Sequence, residues 1–483
     1  MEIYELEPRG VWQSFHALTQ IPRPSGHTEQ VAAFLVDFAH EHGAEAFIDE
    51  AGNVLMRKAA TAGYERRATA ILQAHMDMVP QKVGESGHNF EKDPISTWID
   101  GEWVRARGTT LGADDGMGVA AAMAVIADES LPHGPLEVLI TKDEETGMYG
   151  AFGLKSGLLQ GEYLLNLDSE TEGEITIGCA GGMDVVCTME YQEAAPATGS
   201  AMKVSIKGLR GGHSGLEINE GRANAIKLMA RLLYAAVGTG LAKLCSWAGG
   251  NMRNAIPREG EAVVLTERPE ELEALVARAS ELFNHEYAAI EPQGITLTVA
   301  PCDMPEGMMP EEIAGNLIDA IMAAHDGVLR YIPTIPEVVE TSSNLAILNA
   351  GDGLIEVDLL ARSSQDSMKL WLCNSLRACF AMAGMRVELE GGYGGWQPNT
   401  QSPLVAEMSG VYERLYGKKP KVQVCHAGLE CGIIAVNYPQ LDMASFGPTL
   451  LSPHTPDERC FIPSVGRFYQ FLTEVLKDIP EKA

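Results

Sequence analysis

The stretch ATAILQAHMD, residues 68–77, decides how the rest of the chain is interpreted. It contains the apolar run 70–72 and ends with His75 and Asp77, which stand two positions apart. In a β-strand such side chains point to the same face, so a buried strand would present both at its carboxyl end. Open α/β sheets bind ligands at that end. The pattern indicates a metal site, although a strand that simply stops at a polar turn would show it too.

Strands and helices alternate around this stretch. Apolar residues at helical spacing over 28–42 and an Ala- and Met-rich run over 115–128 predict two helices, while 136–140 and 163–168 have the apolar composition of short strands. This alternation is typical of a mostly parallel sheet that is covered on both faces. The sequence therefore predicts an α/β domain.

From about residue 186 the pattern changes to a mixture of strands and helices that favours an α+β domain with an antiparallel sheet. The Gly-rich segment 391–395 predicts a hinge or a linker, and after it the first pattern returns. We therefore predict an α/β domain in two parts, 1–185 and 395–483, interrupted by an inserted domain at 186–394.

Composition and charge exclude several classes of partner. The chain has 36 Lys and Arg against 66 Asp and Glu, a net charge of −30, which argues against nucleic acid and anionic membranes. Its nine cysteines form no CxxC pair, so neither a disulfide framework nor a thiolate zinc site is favoured. The N-terminus lacks the apolar segment of a signal peptide, and no apolar run approaches the roughly 20 residues that cross a membrane. The expected compartment is the cytoplasm.

Five places put histidine or carboxylate side chains at the end of an apolar strand or in a turn rich in Gly or Pro. They are His75 with Asp77, Asp114 with Asp115, Glu144 with Glu145, Asp168, and His454. Two imidazoles with several carboxylates suit zinc better than magnesium or calcium, which prefer oxygen ligands. The number of carboxylates also favours two ions that share a bridging group.

The adjacent Glu144 and Glu145 suggest two different roles. A metal ion holds one carboxylate deprotonated, and the neighbour can then take a proton from a water whose pKa the ion lowers to about 7. Adjacent glutamates are also common in plain surface loops, and it is their position after an apolar strand that favours function here.

Eight motifs in one order resemble the co-catalytic zinc exopeptidases, the family that includes carnosinase-type dipeptidases, aminoacylase and glutamate carboxypeptidase. They are HMDMV (75–79), GADDG (112–116), EE (144–145), NLDSE (166–170), GGHSG (211–215), RNAIP (253–257), HAGLECG (426–432) and GPTLLSPHTPDE (447–458). The resemblance covers essentially the whole chain, and the shared order makes it far more specific than any single motif.

The resemblance implies two zinc ions per subunit, with cobalt or manganese as possible substitutes. Its ligands would be His75 and Asp168 for the first ion, Glu145 and His454 for the second, and Asp114 as the bridge. Asp77 would orient the imidazole of His75, which fixes the tautomer of a metal-binding histidine. Glu144 would be the general base. The peptide bond after Asp114 is expected to be cis.

The resemblance also implies substrate-binding residues in and near the inserted domain. His213, otherwise a plain turn residue, would reach into the active site of the partner subunit and polarise the scissile carbonyl. Asn254 would hold the substrate backbone, and Arg362 and the Gly428 backbone N–H would hold its terminal carboxylate. A guanidinium pairs bidentately with a carboxylate, although Arg362 could equally form a surface ion pair at a strand end. No role is assigned to His426, Glu430 and Cys431.

Members of this family commonly carry lysine shortly after the bridging aspartate, whereas this chain has Gly116 and Met117. That departure fits the aminoacyl-histidine dipeptidase branch and weakens an interpretation as carboxypeptidase or aminoacylase. The expected activity is metal-dependent hydrolysis of Xaa-His dipeptides such as carnosine and of other unblocked dipeptides, in a homodimer formed through the inserted lid domain.

Two alternatives stay open. One is an aminoacylase-like or tripeptide-cleaving hydrolase on the same fold. The other is a metal-loaded binding protein without turnover, against which the intact Glu144 argues, because a pure binder needs ligands but no base.

Overall fold

The computed structural model describes residues 2–482 and divides into two units. Unit 1 comprises Met1–Gly178, Trp396–Val424 and Leu429–Ala483, and unit 2 comprises Cys179–Gly395 and Cys425–Gly428. The boundary that the sequence placed between residues 185 and 186 falls inside a strand of unit 2, Gly181–Glu190, because the chain enters the second sheet before its composition changes.

The helices and strands of the described residues follow one another in a single series. The helices are α1 (Arg9–Thr19), α2 (Glu29–Glu41), α3 (Ala113–Ala127), α4 (Tyr149–Gly153), α5 (Ala225–Gly238), α6 (Pro269–Glu286), α7 (Glu311–Ala323), α8 (Asp366–Met382), α9 (Pro403–Tyr416), α10 (Glu430–Asn437) and α11 (Ile462–Asp478). Short 3₁₀ turns cover Ile3–Glu5 and Ile218–Glu220.

The strands are β1 (Glu45–Ile48), β2 (Val54–Lys58), β3 (Ala70–His75), β4 (Thr97–Asp100), β5 (Trp103–Ala106), β6 (Leu136–Thr141), β7 (Tyr163–Asn166), β8 (Glu174–Cys179), β9 (Gly181–Glu190), β10 (Ser200–Lys207), β11 (Gly212–His213), β12 (Lys243–Gly249), β13 (Ala255–Ile256), β14 (Gly260–Thr266), β15 (Thr296–Pro301), β16 (Gly327–Ile332), β17 (Ile335–Gly351), β18 (Leu354–Ser363), β19 (Arg386–Glu390), β20 (Lys421–Cys425), β21 (Asp442–Ser445), β22 (Leu450–Leu451) and β23 (Arg459–Phe461).

The main sheet of unit 1 has the strand order β1-β2-β6-β3-β7-β21-β8-β20. Its central strands β6, β3, β7 and β21 run parallel, and the pairs β1–β2, β2–β6 and β21–β8 are antiparallel. The α/β prediction is confirmed, with the parallel pairing confined to the middle of the sheet. Because the central strands are parallel, their carboxyl ends meet at one edge.

Strand β3 and helix α3 form much of the core of unit 1. Every residue of β3 is buried, as expected for a strand that has neighbours on both sides and cover on both faces. Helix α3 is apolar nearly all round and packs against β3 and α1, so it is buried rather than amphipathic. A second, four-stranded sheet of order β22-β23-β5-β4 holds the chain segment around His454.

The main sheet of unit 2 has the strand order β15-β10-β14-β12-β17-β18-β9-β19, with β16 paired to β17. All of these pairs are antiparallel. Side chains from this sheet and from helices α5–α8 share one apolar core. The predicted α+β character of the inserted region is confirmed. Among residues 2–482, no helix combines the length and the apolar character needed to cross a bilayer.

Candidate metal centre

Four of the predicted side chains gather around a fifth, the Asp114 carboxylate, in unit 1. His75, Asp114 and Asp168 offer ligand atoms that all lie within 4.8 Å of one another, and so do Asp114, Glu145 and His454. Asp114 belongs to both groups. Its Oδ1 lies 3.3 Å from His75 Nε2 and its Oδ2 lies 3.1 Å from His454 Nε2, so each oxygen faces a different imidazole.

The sheet explains how these residues meet. His75 is the last residue of β3, and Asp168 follows β7, so both lie at the edge where the parallel strands end. Glu145 follows β6 at the same edge. Asp114 lies at the start of α3, and His454 lies in the loop between β22 and β23. The Asp114–Asp115 peptide bond is cis, as the resemblance implied.

Asp77 connects His75 to the segment that carries the two glutamates. Its Oδ1 lies 3.5 Å from His75 Nδ1 and accepts a hydrogen bond from the Glu144 backbone N–H at 3.0 Å. Burial alone would raise the pKa of Asp77, but its contacts with His75, Ser25 and Glu144 outweigh burial and lower the pKa. Asp77 therefore remains an anion that can hold the His75 ring in place.

The donor set fits divalent cations. Hydrogen bonds with Asp114 and Glu145 raise the pKa of His454 to about 11. Burial lowers the pKa of His75, yet Asp168 and Asp114 raise it well above its ordinary value. Glu145 Oε1 is buried and has no hydrogen-bond partner among the described residues. A pocket that favours positive charge this strongly, with a carboxylate oxygen still unpartnered, has the chemistry of a cation site.

Glu144 differs electrostatically from the carboxylates around it. Burial raises its pKa to about 8. The positive charge of His75 opposes the shift, and the negative charges of Glu430 and Glu145 add to it. A carboxylate with a raised pKa holds a proton more readily than an ordinary glutamate does, which suits a group that must accept one and pass it on.

A buried polar network, which the sequence did not predict, joins the strands that precede the predicted metal ligands. Glu430 Oε2 accepts hydrogen bonds from Gln73 Nε2 and from Thr141 Oγ1, both at 2.6 Å. Gln73 Oε1 in turn accepts one from Asn166 Nδ2 at 2.5 Å. Gln73, Thr141 and Asn166 belong to the adjacent strands β3, β6 and β7, so the network ties together the three strand ends that precede the predicted ligands.

Arg23 is a second residue that the sequence analysis missed. Its buried guanidinium donates to the backbone carbonyls of Met76 at 2.9 Å and Gly112 at 2.5 Å. A Cβ atom at Gly116 would lie 2.5 Å from Arg23 Nη2. The space in which a side chain at position 116 would start is therefore filled, so glycine is the residue that fits here.

The predicted substrate-binding residues lie in unit 2. His213 in β11 pairs with Ala255 in β13, directly after Asn254, and the Ser214 N–H donates to the Asn254 carbonyl at 2.8 Å. Arg362 in β18 is only 4% exposed and donates to Tyr393 Oη at 3.1 Å. It forms no ion pair with any residue in the described part of the chain. The alternative of a surface ion pair is therefore wrong.

The protonation of His213 is fixed by its surroundings. Its Nδ1 accepts the backbone N–H groups of Gly215 and Leu216, each at 3.1 Å, so the ring proton is on Nε2. Burial and the charge of Arg362 lower the pKa of His213 to about 4. His213 is thus a neutral hydrogen-bond donor near neutral pH. Burial likewise lowers the pKa of His426 to about 3, and its Nε2 lies 2.7 Å from Ser342 Oγ.

Known proteins resemble this chain in sequence and in fold. Residues 71–478 match the model of peptidase family M20/M25/M40. The cytosol non-specific dipeptidase of Escherichia coli strain K12 is 44% identical over 100% of both chains. The crystal structure of aminoacylhistidine dipeptidase from Vibrio alginolyticus is 42% identical, with a TM-score of 0.93 over 100% of this chain and 99% of that one. An aminopeptidase from Bacillus cereus ATCC 10987 shares the fold alone, at 15% identity and a TM-score of 0.57 over 98% of this chain and 99% of that one.

Fold and ligand cluster together define an α/β metallohydrolase. The chain belongs to peptidase family M20/M25/M40, and it is an enzyme, a peptide hydrolase of that family. The resemblance drawn from the eight motifs is thereby confirmed.

The contact between Arg23 and Gly116 yields a stability prediction. Gly116→Ala should lower the free energy of unfolding by about 1–3 kcal/mol, because the new methyl group must displace a buried guanidinium. Gly410→Ala is the matched control, since Gly410 also lies in a helix of unit 1 and a Cβ atom there meets nothing within 4 Å. The control should be neutral or stabilising by up to about 1 kcal/mol. Thermal unfolding of both variants measures the difference, and equal midpoints would refute the packing argument.

Proposed function

We propose that this chain is a two-zinc dipeptidase that hydrolyses Xaa-His dipeptides and other unblocked dipeptides. The observation that carries the proposal is the position of Asp114, whose two carboxylate oxygens face His75 and His454 at 3.3 and 3.1 Å. A carboxylate shared in this way suits a pair of ions, which act roughly 3.5–4 Å apart in hydrolytic sites. The names of the Escherichia coli and Vibrio alginolyticus relatives support the substrate class.

The proposed ligands are those of the two groups around Asp114. His75 and Asp168 would hold one ion, Glu145 and His454 the other, and Asp114 both. Zinc is favoured because the set combines imidazoles with carboxylates, and cobalt or manganese could substitute. When bound, such ions lower the pKa of a coordinated water to about 7 and polarise the carbonyl to be attacked.

We assign the proton transfers to Glu144. Its carboxylate takes a proton from the attacking water as the new C–O bond forms, and it delivers that proton to the amide nitrogen as the C–N bond breaks. Asp77 positions both a proposed metal ligand and the proposed base. Its carboxylate faces His75 and also accepts a hydrogen bond from the Glu144 backbone N–H at 3.0 Å.

The substrate would be recognised at its carbonyl and at its carboxylate end. We propose that His213 donates from Nε2 to the carbonyl oxygen of a substrate in the active site of the partner subunit as negative charge develops there, a contribution of about 3 kcal/mol for such a donor. Arg362, buried and without an acidic partner in the described chain, would pair with the C-terminal carboxylate. Asn254 and the Gly428 N–H would hold the backbone and the same carboxylate. The free α-amino group would meet carboxylates near the second ion. Recognition of both the amino and the carboxylate end would limit the substrate to about two residues.

We further propose that the protein is a cytoplasmic homodimer that associates through unit 2. Leu370, Trp371 and Met382 of α8 are exposed, and exposed large apolar side chains favour an interface. The Escherichia coli relative carries the word cytosol in its name, which supports the proposed compartment.

A substrate panel with and without metal tests the proposed activity. Zinc-loaded protein should cleave Ala-His, carnosine and Gly-Gly, lose this activity after thorough chelation, and regain it when Zn²⁺ is returned. N-acetyl-Ala-His is the control and should be cleaved much more slowly. Full activity after metal removal would refute the metal mechanism, and faster cleavage of the acetylated substrate would instead support the aminoacylase alternative.

A pair of glutamate variants tests the assignment of base and ligand. Glu144→Gln should keep two zinc ions per chain but lower kcat by about 10²–10⁴-fold, because it cannot accept a proton. Glu145→Gln should lose zinc, since its carboxylate is a proposed ligand. Metal analysis and dipeptide kinetics on both variants measure the distinction. Unchanged hydrolysis by Glu144→Gln would refute the assignment of Glu144 as the base. No hydrolysis by the zinc-loaded wild-type chain would instead support the alternative of a metal-binding protein without turnover.

A further inference from the structure

The Glu458 side chain holds four consecutive backbone N–H groups. Its Oε2 accepts from Leu111 at 2.7 Å and Gly112 at 3.0 Å, and its Oε1 accepts from Ala113 at 2.7 Å and Asp114 at 3.2 Å. The side chain is 2% exposed. One buried carboxylate thus satisfies every amide of the segment 111–114, the last of which belongs to the proposed bridging residue.

Glu458 itself is fixed by the small sheet of unit 1. It ends the loop 452–458, which carries His454, and it directly precedes β23. In that sheet Arg459 pairs with Arg105 and Cys460 pairs with Val104. Glu458 therefore links the main chain at Asp114 to the loop of His454, whose imidazole faces the same aspartate at 3.1 Å.

Arg23 holds the same segment through its carbonyl groups. Its guanidinium donates to Gly112 at 2.5 Å, and it also donates to Met76 at 2.9 Å and to Asp77 at 3.2 Å. The last two carbonyls directly follow His75 at the end of β3. A Cβ atom at Gly112 would lie 2.8 Å from Arg23 Nη2, so only glycine leaves room for the guanidinium.

Both charges are buried, and burying a charge is costly unless hydrogen bonds compensate for the lost water. Here the carboxylate accepts from four amides and the guanidinium donates to three carbonyls, so the main chain supplies that compensation. The two side chains connect the three segments that carry His75, Asp114 and His454.

We propose that Glu458 and Arg23 are positioning residues of the metal centre, which keep the Asp114 carboxylate between the His75 and His454 imidazoles. This inference rests on the metal-binding role proposed above. Groups that support metal ligands without touching the ion commonly change metal affinity or activity by about 10–100-fold when they are substituted. Glu458→Gln presents an amide N–H₂ group to backbone N–H donors, so it must lose bonds and push the segment away.

Glu137 provides a matched control in the same unit. It is 4% exposed, its Oε2 accepts the N–H groups of Gln160 at 2.7 Å and Gly161 at 2.9 Å, and Arg57 Nε lies 3.1 Å from its Oε1. It lies near the start of β6, whereas Glu145 follows the end of that strand. Glu137→Gln therefore removes comparable bonds from a buried carboxylate without touching the segment of Asp114.

The experiment titrates metal-depleted full-length protein with Zn²⁺ by calorimetry and measures kcat and KM for Ala-His. Glu458→Gln should weaken Zn²⁺ binding by about 10–100-fold and lower kcat with little change in KM. Glu137→Gln should lower only the thermal midpoint. Arg23→Lys keeps the charge but cannot span three carbonyls, and it should weaken Zn²⁺ binding in the same way.

Folded Glu458→Gln or Arg23→Lys protein with wild-type Zn²⁺ affinity and kcat would overturn the inference, as would an equal loss in Glu137→Gln. If Glu458→Gln does not fold, the Zn²⁺ affinity and kcat of Arg23→Lys test the inference. If neither variant folds, the inference is also overturned, because Glu458 and Arg23 would then serve stability alone. Failure of the wild-type chain to bind Zn²⁺ would instead refute the proposed function.

Discussion

The candidate metal centre depends on the Asp114 carboxylate, whose two oxygens face two different histidines. Its two oxygens lie 3.3 and 3.1 Å from imidazoles that come from distant parts of the chain, one at the end of β3 and one in the loop between β22 and β23. Neither contact would survive a shift of the Asp114 main chain by about an ångström, because hydrogen bonds and metal bonds both weaken steeply with distance. Much of the surrounding structure acts against such a shift. Arg23 and Glu458 hold the main chain, Asp77 holds the His75 ring, and the parallel strands hold the ends from which the side chains project.

This arrangement concentrates negative charge where proteins normally avoid it. Burial raises the pKa of Glu144 to about 8, of Glu430 to about 7 and of Glu458 to about 7, which shows that ionising these groups costs free energy in the folded chain. Glu430 and Glu458 are compensated by hydroxyl, amide and backbone N–H groups. Glu145 keeps a buried oxygen without a partner in the described structure, and bound cations would supply what it lacks. Stability and function are therefore in opposition here, as is common at functional sites.

Local sequence patterns predicted the residues that project from strand ends. The His75 and Asp77 pair, the adjacent glutamates and Asp168 each follow an apolar run, so their common edge could be deduced from the periodicity of strands. The α/β class and the inserted antiparallel domain followed from composition in the same way. The bounds of that domain, 186–394, remain a prediction, and the first of them lies inside β9 because a change in composition does not mark where a strand begins.

Periodicity could not reveal residues whose roles depend on main-chain atoms far away in sequence. Arg23 binds the carbonyls of Met76 and Gly112, and Glu458 binds amides more than three hundred positions before it. Nearly every residue offers the same backbone N–H and C=O groups, so the spacing of side chains in the sequence does not predict contacts between a side chain and a distant backbone group. The glycines of the GADDG motif were the available signal, because the space that they leave is filled by Arg23.

Anomalous X-ray diffraction at the zinc absorption edge, from crystals of the zinc-loaded chain, tests the central claim most directly. The account predicts two peaks roughly 3.5–4 Å apart with the Asp114 carboxylate between them, one beside His75 and the other beside His454. A single peak, or two peaks that do not share Asp114, would contradict it.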